Sequence, residues 1–146
     1  MKKSVYDSDD DGIVDKAERG IKLLAEPSDR LWWHVYITTA CTSTTYTKLA
    51  SVTIDSDFVG GSKFRVRFGL KSDEDGVTVY GRIYKNGSPY GTERSTTNGV
   101  DYEWFTEDLE FEGEDTCELW VKTSNSDYRV NAKDFDGMCN AIYLAK

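Results

Sequence analysis

The sequence predicts an all-β fold: a two-sheet antiparallel sandwich of jelly-roll type, with a short loop and helix ahead of it. Three observations carry that expectation. From residue 31 onward, β-branched and aromatic residues alternate with polar ones, the period of a half-buried strand. Turn pairs, Asp75-Gly76, Asn86-Gly87 and Asn98-Gly99, punctuate the alternation. The runs between turns are short and number about nine, the pattern of a sandwich; an open barrel is the alternative, and strand order does not follow from sequence.

The elements follow in chain order. Residues 15–26 read as one helix, with Val14, Ala17, Ile21 and Leu24 on a single stripe and Pro27-Ser28-Asp29 as its stop. A helix of that length is marginal alone, and Gly20 weakens it by about 1 kcal/mol relative to alanine, so it needs a surface to lean on. A boundary is therefore expected near Pro27, with residues 1–30 as an arm and 31–146 as the β-domain. Strands are expected at 31–39, 46–55, 63–71, 76–85, 90–97, 102–111, 116–123, 127–134 and 139–145. The alternation is cleanest where Phe64, Val66, Phe68 and Leu70 interleave with Lys63, Arg65, Arg67 and Lys71, so that one face is buried and the other wet. Asn86-Gly87, set between Ile83 and Ser88-Pro89, is a strong hairpin signal.

The most specific chemistry lies in the arm. Residues 7–18 match the pattern D-x-[DN]-x-[DN]-G-x5-E, which wraps oxygen ligands around one calcium ion. Asp7, Asp9 and Asp11 each supply a carboxylate oxygen, Ile13 its backbone carbonyl, Asp15 a carboxylate directly or through water, and Glu18 both oxygens. Gly12 permits the sharp reversal. The segment resembles an EF-hand loop and, lacking an entering helix, is more similar to the loop-plus-one-helix units of dockerins and other extracellular calcium motifs. With no paired second hand, the expected role of Ca2+ is structural: it clamps the first turn of the helix, where Asp15 and Glu18 meet the positive end of the helix dipole.

Composition narrows the function. The chain has 146 residues, a formal charge of −8 and a pI near 4.7, which argues against nucleic acid or an anionic membrane as partner. No run approaches the roughly 20 apolar residues of a membrane span, and Met-Lys-Lys-Ser leads into charged residues without an apolar export signal. A calcium loop with no signal peptide suits a virion component, or a chain whose signal has been removed. Cys41, Cys117 and Cys139 are too few and too scattered for zinc. Two readings stay open: three buried thiols, or one disulfide, for which Cys41 with Cys139 is favoured.

Catalytic signatures are lacking. His34, the single histidine, sits between Trp33 and Val35 in a strand-like run and reads as a packed or surface residue rather than a base. Asp73, Glu74, Asp75, Asp101, Glu103, Glu107 and Asp108 read as solvated. Asp134-Phe135-Asp136-Gly137 looks like the start of a second calcium loop but has no glutamate at the required distance, so it reads as an exposed turn, with a lower-affinity cation site at Asp134 and Asp136 as the alternative. Trp32, Trp104 and Trp120, with Tyr36, Tyr80, Tyr84 and Tyr102, fall out of phase with the aliphatic residues and are expected to form a contact surface.

The segments Gly81–Thr97 and 118–124 resemble β-sandwich modules of viral tail, fibre and decoration proteins. That resemblance implies a non-enzymatic structural or attachment protein of a virion or extracellular surface filament, with partners in further copies of itself or other particle proteins. The alternative is a carbohydrate-binding module in which Trp32, Trp104 or Trp120 stacks on a sugar ring.

Overall fold

A computed structural model describes residues 22–144. Among these residues ten strands form two antiparallel sheets: β1 Leu23–Val35, β2 Ala40–Cys41, β3 Thr47–Thr53, β4 Lys63–Ser72, β5 Val79–Lys85, β6 Ser88–Pro89, β7 Arg94–Thr96, β8 Glu103–Glu110, β9 Thr116–Thr123 and β10 Val130–Tyr143. One sheet runs β1-β10-β4-β8, with β2 beside the start of β10; the other runs β3-β9-β5, with β6 and β7 continuing past β5. With β2 and the small β6 set aside, the eight remaining strands divide as first-last-third-sixth and second-seventh-fourth-fifth. That order is the jelly roll.

The period-two alternation explains the core. Phe64, Val66, Phe68 and Leu70 of β4 are all buried, and they meet Val79 and Ile83 of β5 and Leu119 and Val121 of β9 from the opposite sheet. Phe111, Val130 and Phe135 close the layer. The Asn86-Gly87 hairpin forms as expected: Lys85 pairs with Ser88, and both turn residues take positive φ, 53° and 82°, the signature of a type I′ turn.

Three expectations need correction. Residues 23–26 are strand, not the end of a helix, and β1 runs through the boundary placed at Pro27. Ala25 is buried, its N–H donates to Ser62 Oγ, and Leu23 exchanges backbone hydrogen bonds with Asp57 and Val59, so tertiary pairing overrides the helical stripe. Pro27 is tolerated because β1 is an edge strand, and a register shift follows it before Leu31. The rest of that helix, residues 15–21, lies outside the described residues.

The second correction concerns residues 127–145, where two strands were expected and one, β10, is found. Asp134-Phe135-Asp136-Gly137 is not an exposed turn but the middle of that strand. Its turn-like composition serves a β-bulge, in which the pairing with β4 shifts between Lys133 and Asp136 and Asp134 takes a φ of 52°. Phe135 and Asp136 are buried there. The third is smaller: of the strand expected at 90–97 only β7, Arg94–Thr96, forms, and the short β6 precedes that span.

The cysteines are free thiols, Cys117 and Cys139 fully buried. Cys41 pairs with Asn131's neighbour Val130 at one end of β10, and Cys139 lies toward the other, roughly 30 Å along the strand. A disulfide between them would need Cα atoms within about 7 Å. Burial pushes the Cys139 thiol up to about 11.

Candidate functional site

The outer face of sheet β1-β10-β4-β8 carries the side chains that the core rejects. Register arranges them in rows. His34 faces Asp136, Asp136 faces Arg67, and Arg67 faces Thr106, one row across all four strands. Beside it, Leu31, Met138, Arg65 and Asp108 make a second row. Together with Asp29, Glu107 and Asp134 they line an open trough of about 720 Å³.

Asp136 is its fixed point. The residue is 1% exposed, yet its carboxylate is fully engaged: Oδ1 lies 2.6 Å from His34 Nδ1 and Oδ2 accepts from Arg67 Nη2 at 2.7 Å. A buried carboxylate flanked by a guanidinium and an imidazole N–H has its desolvation offset by charge-assisted hydrogen bonds. Those bonds also orient the partners. With Nδ1 committed, His34 presents Nε2 to the trough, 3.8 Å from Asp134 Oδ1. Arg65 is held more loosely, by Asp29 at 2.8 Å and Asp108 at 3.1 Å near the rim.

Trp104 is not part of the trough's lining but adjoins it through Arg67. Its six-membered ring lies across Gly69 on the neighbouring strand, three of its carbons within 3.0–3.2 Å of the point a β-carbon would occupy, so the absence of a side chain at 69 lets the indole settle onto the sheet. The Arg67 guanidinium sits 5.3 Å from the ring centre, and the residue remains 44% exposed. Tyr102 continues the aromatic strip, with the ammonium groups of Lys71 and Lys133 each 5.5 Å from its ring. Burial raises the Tyr102 hydroxyl above its ordinary range, with the Asp134 charge adding to the effect.

The other aromatic residues separate by location. Trp32 is exposed at the rim of a small apolar recess, edge-on to Phe58, and Tyr36 is exposed beyond the end of β1. Trp120 and Tyr84 lie on the opposite sheet, stacked on each other at 4.3 Å, and Tyr84 is buried rather than exposed as the alternation suggested. Trp120 Nε1 donates to Glu118, which Thr116 also serves; burial alone would raise that carboxyl, and these two hydrogen bonds, with the Lys48 charge and the Gly87 N–H, bring it below the usual range.

Asp7, Asp9, Asp11, Ile13, Asp15 and Glu18 lie outside the described residues. Among the described residues no group of three or more His, Cys, Asp or Glu side chains is arranged to hold a metal ion. Asp136, half of the suspected second cation site, is committed to His34 and Arg67 instead.

No family model and no curated protein matches the chain. Solved structures resemble it in fold. The insecticidal delta-endotoxin Cry8Ea1 from Bacillus thuringiensis superposes with a TM-score of 0.50 at 11% identity, over 69% of this chain and 19% of that one. The chain thus spans about a fifth of the toxin's length. The EclA C-terminal domain, described as a sugar-binding protein, gives 0.47 at 10% identity, over 73% and 80% of the two chains. A structure described as "CBM4 structure and function" gives 0.37 at 17% identity, over 73% and 91%. At 11% identity the likeness to the toxin bears on the fold alone.

Proposed function

We propose that this chain is a non-enzymatic binding module that holds a glycan on the outer face of sheet β1-β10-β4-β8, as the attachment element of an extracellular or particle-borne assembly. One observation carries the reading: a half-exposed indole, Trp104, seated on the sheet over Gly69 beside a trough whose polar groups are oriented in advance by the buried Asp136. A sugar ring offers an apolar face to stack on an aromatic ring and a rim of hydroxyls for fixed donors and acceptors, and this face supplies both. The test is titration calorimetry of the full chain against a panel of oligosaccharides. Trp104→Ala is expected to weaken the best ligand at least tenfold while leaving the melting temperature near that of the parent. Equal binding by the variant would overturn the assignment.

Self-association is the second reading, favoured by one feature of the edge strand. Among the described residues β1 pairs along its length with one strand, β10, and it displays Leu31 at 55% and Trp32 at 42% exposure. An unpaired edge with exposed apolar side chains is a template for a second copy. A solution mass of a multiple of 16.5 kDa, reduced to the monomer by Trp32→Lys, supports it; a monomer at all concentrations refutes it.

For the arm we propose one Ca2+ bound by Asp7, Asp9, Asp11, Ile13, Asp15 and Glu18. Five carboxylates and the D-x-D-x-D-G-x5-E spacing support it. Glu18→Gln is expected to weaken calcium strongly, and equal uptake by variant and parent refutes the site.

A further inference from the structure

Resting on the glycan reading, we infer that the trough takes an uncharged oligosaccharide laid across the strands and rejects acidic glycans such as uronates and sulfated sugars. The charge of the lining carries the second half. Asp29, Asp108, Asp134 and Asp136 face two guanidiniums, Arg65 and Arg67, and the one imidazole of His34, while the carboxylate of Glu107 is taken by Thr92 and Arg94. Carboxylates exceed cations even with His34 protonated.

Each guanidinium already holds a resident carboxylate, although Arg67 does so through Nη2 alone and its buried Nε has no hydrogen-bond partner. Arg65 is bound on both sides, by Asp29 and Asp108, and Arg67 gives Nη2 to Asp136. An incoming carboxylate or sulfate would compete with partners already 2.7–3.1 Å away and would face Asp134 across the trough. A recognition site for an anion needs the reverse, a fork of donors without a resident acceptor. Neutral hydroxyls meet no such conflict. Each donates to a carboxylate or hydroxyl oxygen and accepts from an N–H, so they suit adjacent donors and acceptors such as His34 Nε2 beside Asp134 or Arg67 beside the Thr106 hydroxyl.

The row order carries the orientation. His34, Asp136, Arg67 and Thr106 stand on four successive strands, so the polar groups are spread over three strand spacings, roughly 14 Å, perpendicular to the strands. That span exceeds one sugar ring and calls for several linked units, with Trp104 and Thr106 on β8 at one end and His34 on β1 at the other.

The experiment is calorimetry of the full chain at low ionic strength with length series of neutral oligosaccharides (glucans, mannans, galactans, xylans) and of oligogalacturonates, oligoglucuronates and sulfated galactans. Neutral ligands are expected to gain affinity with length until the trough is filled, with acidic ones at least tenfold weaker. The double variant Asp29→Asn, Asp134→Asn is expected to narrow that gap several-fold, as is added salt, because screening weakens repulsion between exposed charges. Acidic oligosaccharides that bind as tightly as neutral ones, with binding still lost in Trp104→Ala, overturn this inference and leave the glycan reading standing. Affinity that does not change beyond a single sugar overturns the cross-strand placement. Absence of Trp104-dependent binding to any member of either series overturns both.

Discussion

Gly137→Ala should destabilise the domain sharply although it adds one methyl group. Gly137 lies on β10 between Val66 of β4 and Trp33 of β1, on the core side of the sheet, and the Trp33 indole folds over it. A β-carbon there would come closer than 3.0 Å to three carbons of that ring. The ring has little room to yield, because it packs against Phe64 at 5.7 Å and Phe135 at 5.9 Å, both fully buried. Forcing a methyl group into a close-packed core costs about 3 kcal/mol, and the lower backbone entropy of alanine offsets about 0.5–1 kcal/mol of it. The net loss of about 2 kcal/mol corresponds to a fall in melting temperature of roughly 8 °C for a domain of this size. Thermal and urea unfolding measure it, and Trp33→Phe in the same background should recover part of the loss, as expected for residues in direct contact. A Gly137→Ala melting temperature within about 2 °C of the parent would refute the reasoning.

Gly69→Ala is the opposite case: Trp104 is half exposed and can lift by a few tenths of an ångström, so stability should change by less than about 0.5 kcal/mol while oligosaccharide affinity falls several-fold. Calorimetry and thermal unfolding on one sample separate the two effects. Asp136→Ala removes the carboxylate shared by His34 and Arg67 and should cost roughly 1–3 kcal/mol in urea unfolding and abolish glycan binding. Asp73 has its carboxyl pulled down to about 2 by hydrogen bonds from Asn131 and Arg129 and by the Arg129 charge, which tie the end of β4 to the start of β10. Because its folded value is depressed from 3.8, its contribution is present above pH 4 and is lost as pH falls from 4 through about 2. Asp73→Asn should flatten that stretch of the stability curve, and an unchanged slope counts against the tie.

What was legible in the sequence was set by local pattern. The β4 alternation announced both its buried face and the wet face that carries Arg65 and Arg67, and Asn86-Gly87 announced its turn, because each signal is complete within a few residues. Residues 23–26 misled because Leu23, Leu24 and Ala25 before a proline satisfy a helix stop equally well; the deciding contacts, Ser62 and Asp57, are more than thirty residues away. Asp134–Gly137 misled for a related reason. A bulge and a turn use the same residues, and only the pairing partners on β1 and β4 distinguish them. His34 and Asp136 are 102 residues apart, so their hydrogen bond was invisible from sequence, as was the pairing that puts Arg67 and Thr106 in the same row.

The aromatic excess, one signal in the sequence, is two structures in the fold. On sheet β3-β9-β5 the rings satisfy one another and their neighbours: Trp120 stacks on Tyr84 and donates to Glu118, the Tyr46 hydroxyl donates to Glu93, and Lys122 sits over Tyr46 and Tyr80. Such a surface is already packed, and burying it further would gain little. On sheet β1-β10-β4-β8, Trp104 rests on a glycine and borders a trough of oriented polar groups, so one side of the same residue type is left for a partner. The difference comes from position 69. A side chain there would fill the seat of the indole, and the face would lose the platform that makes the row from His34 to Thr106 a site rather than a charged surface.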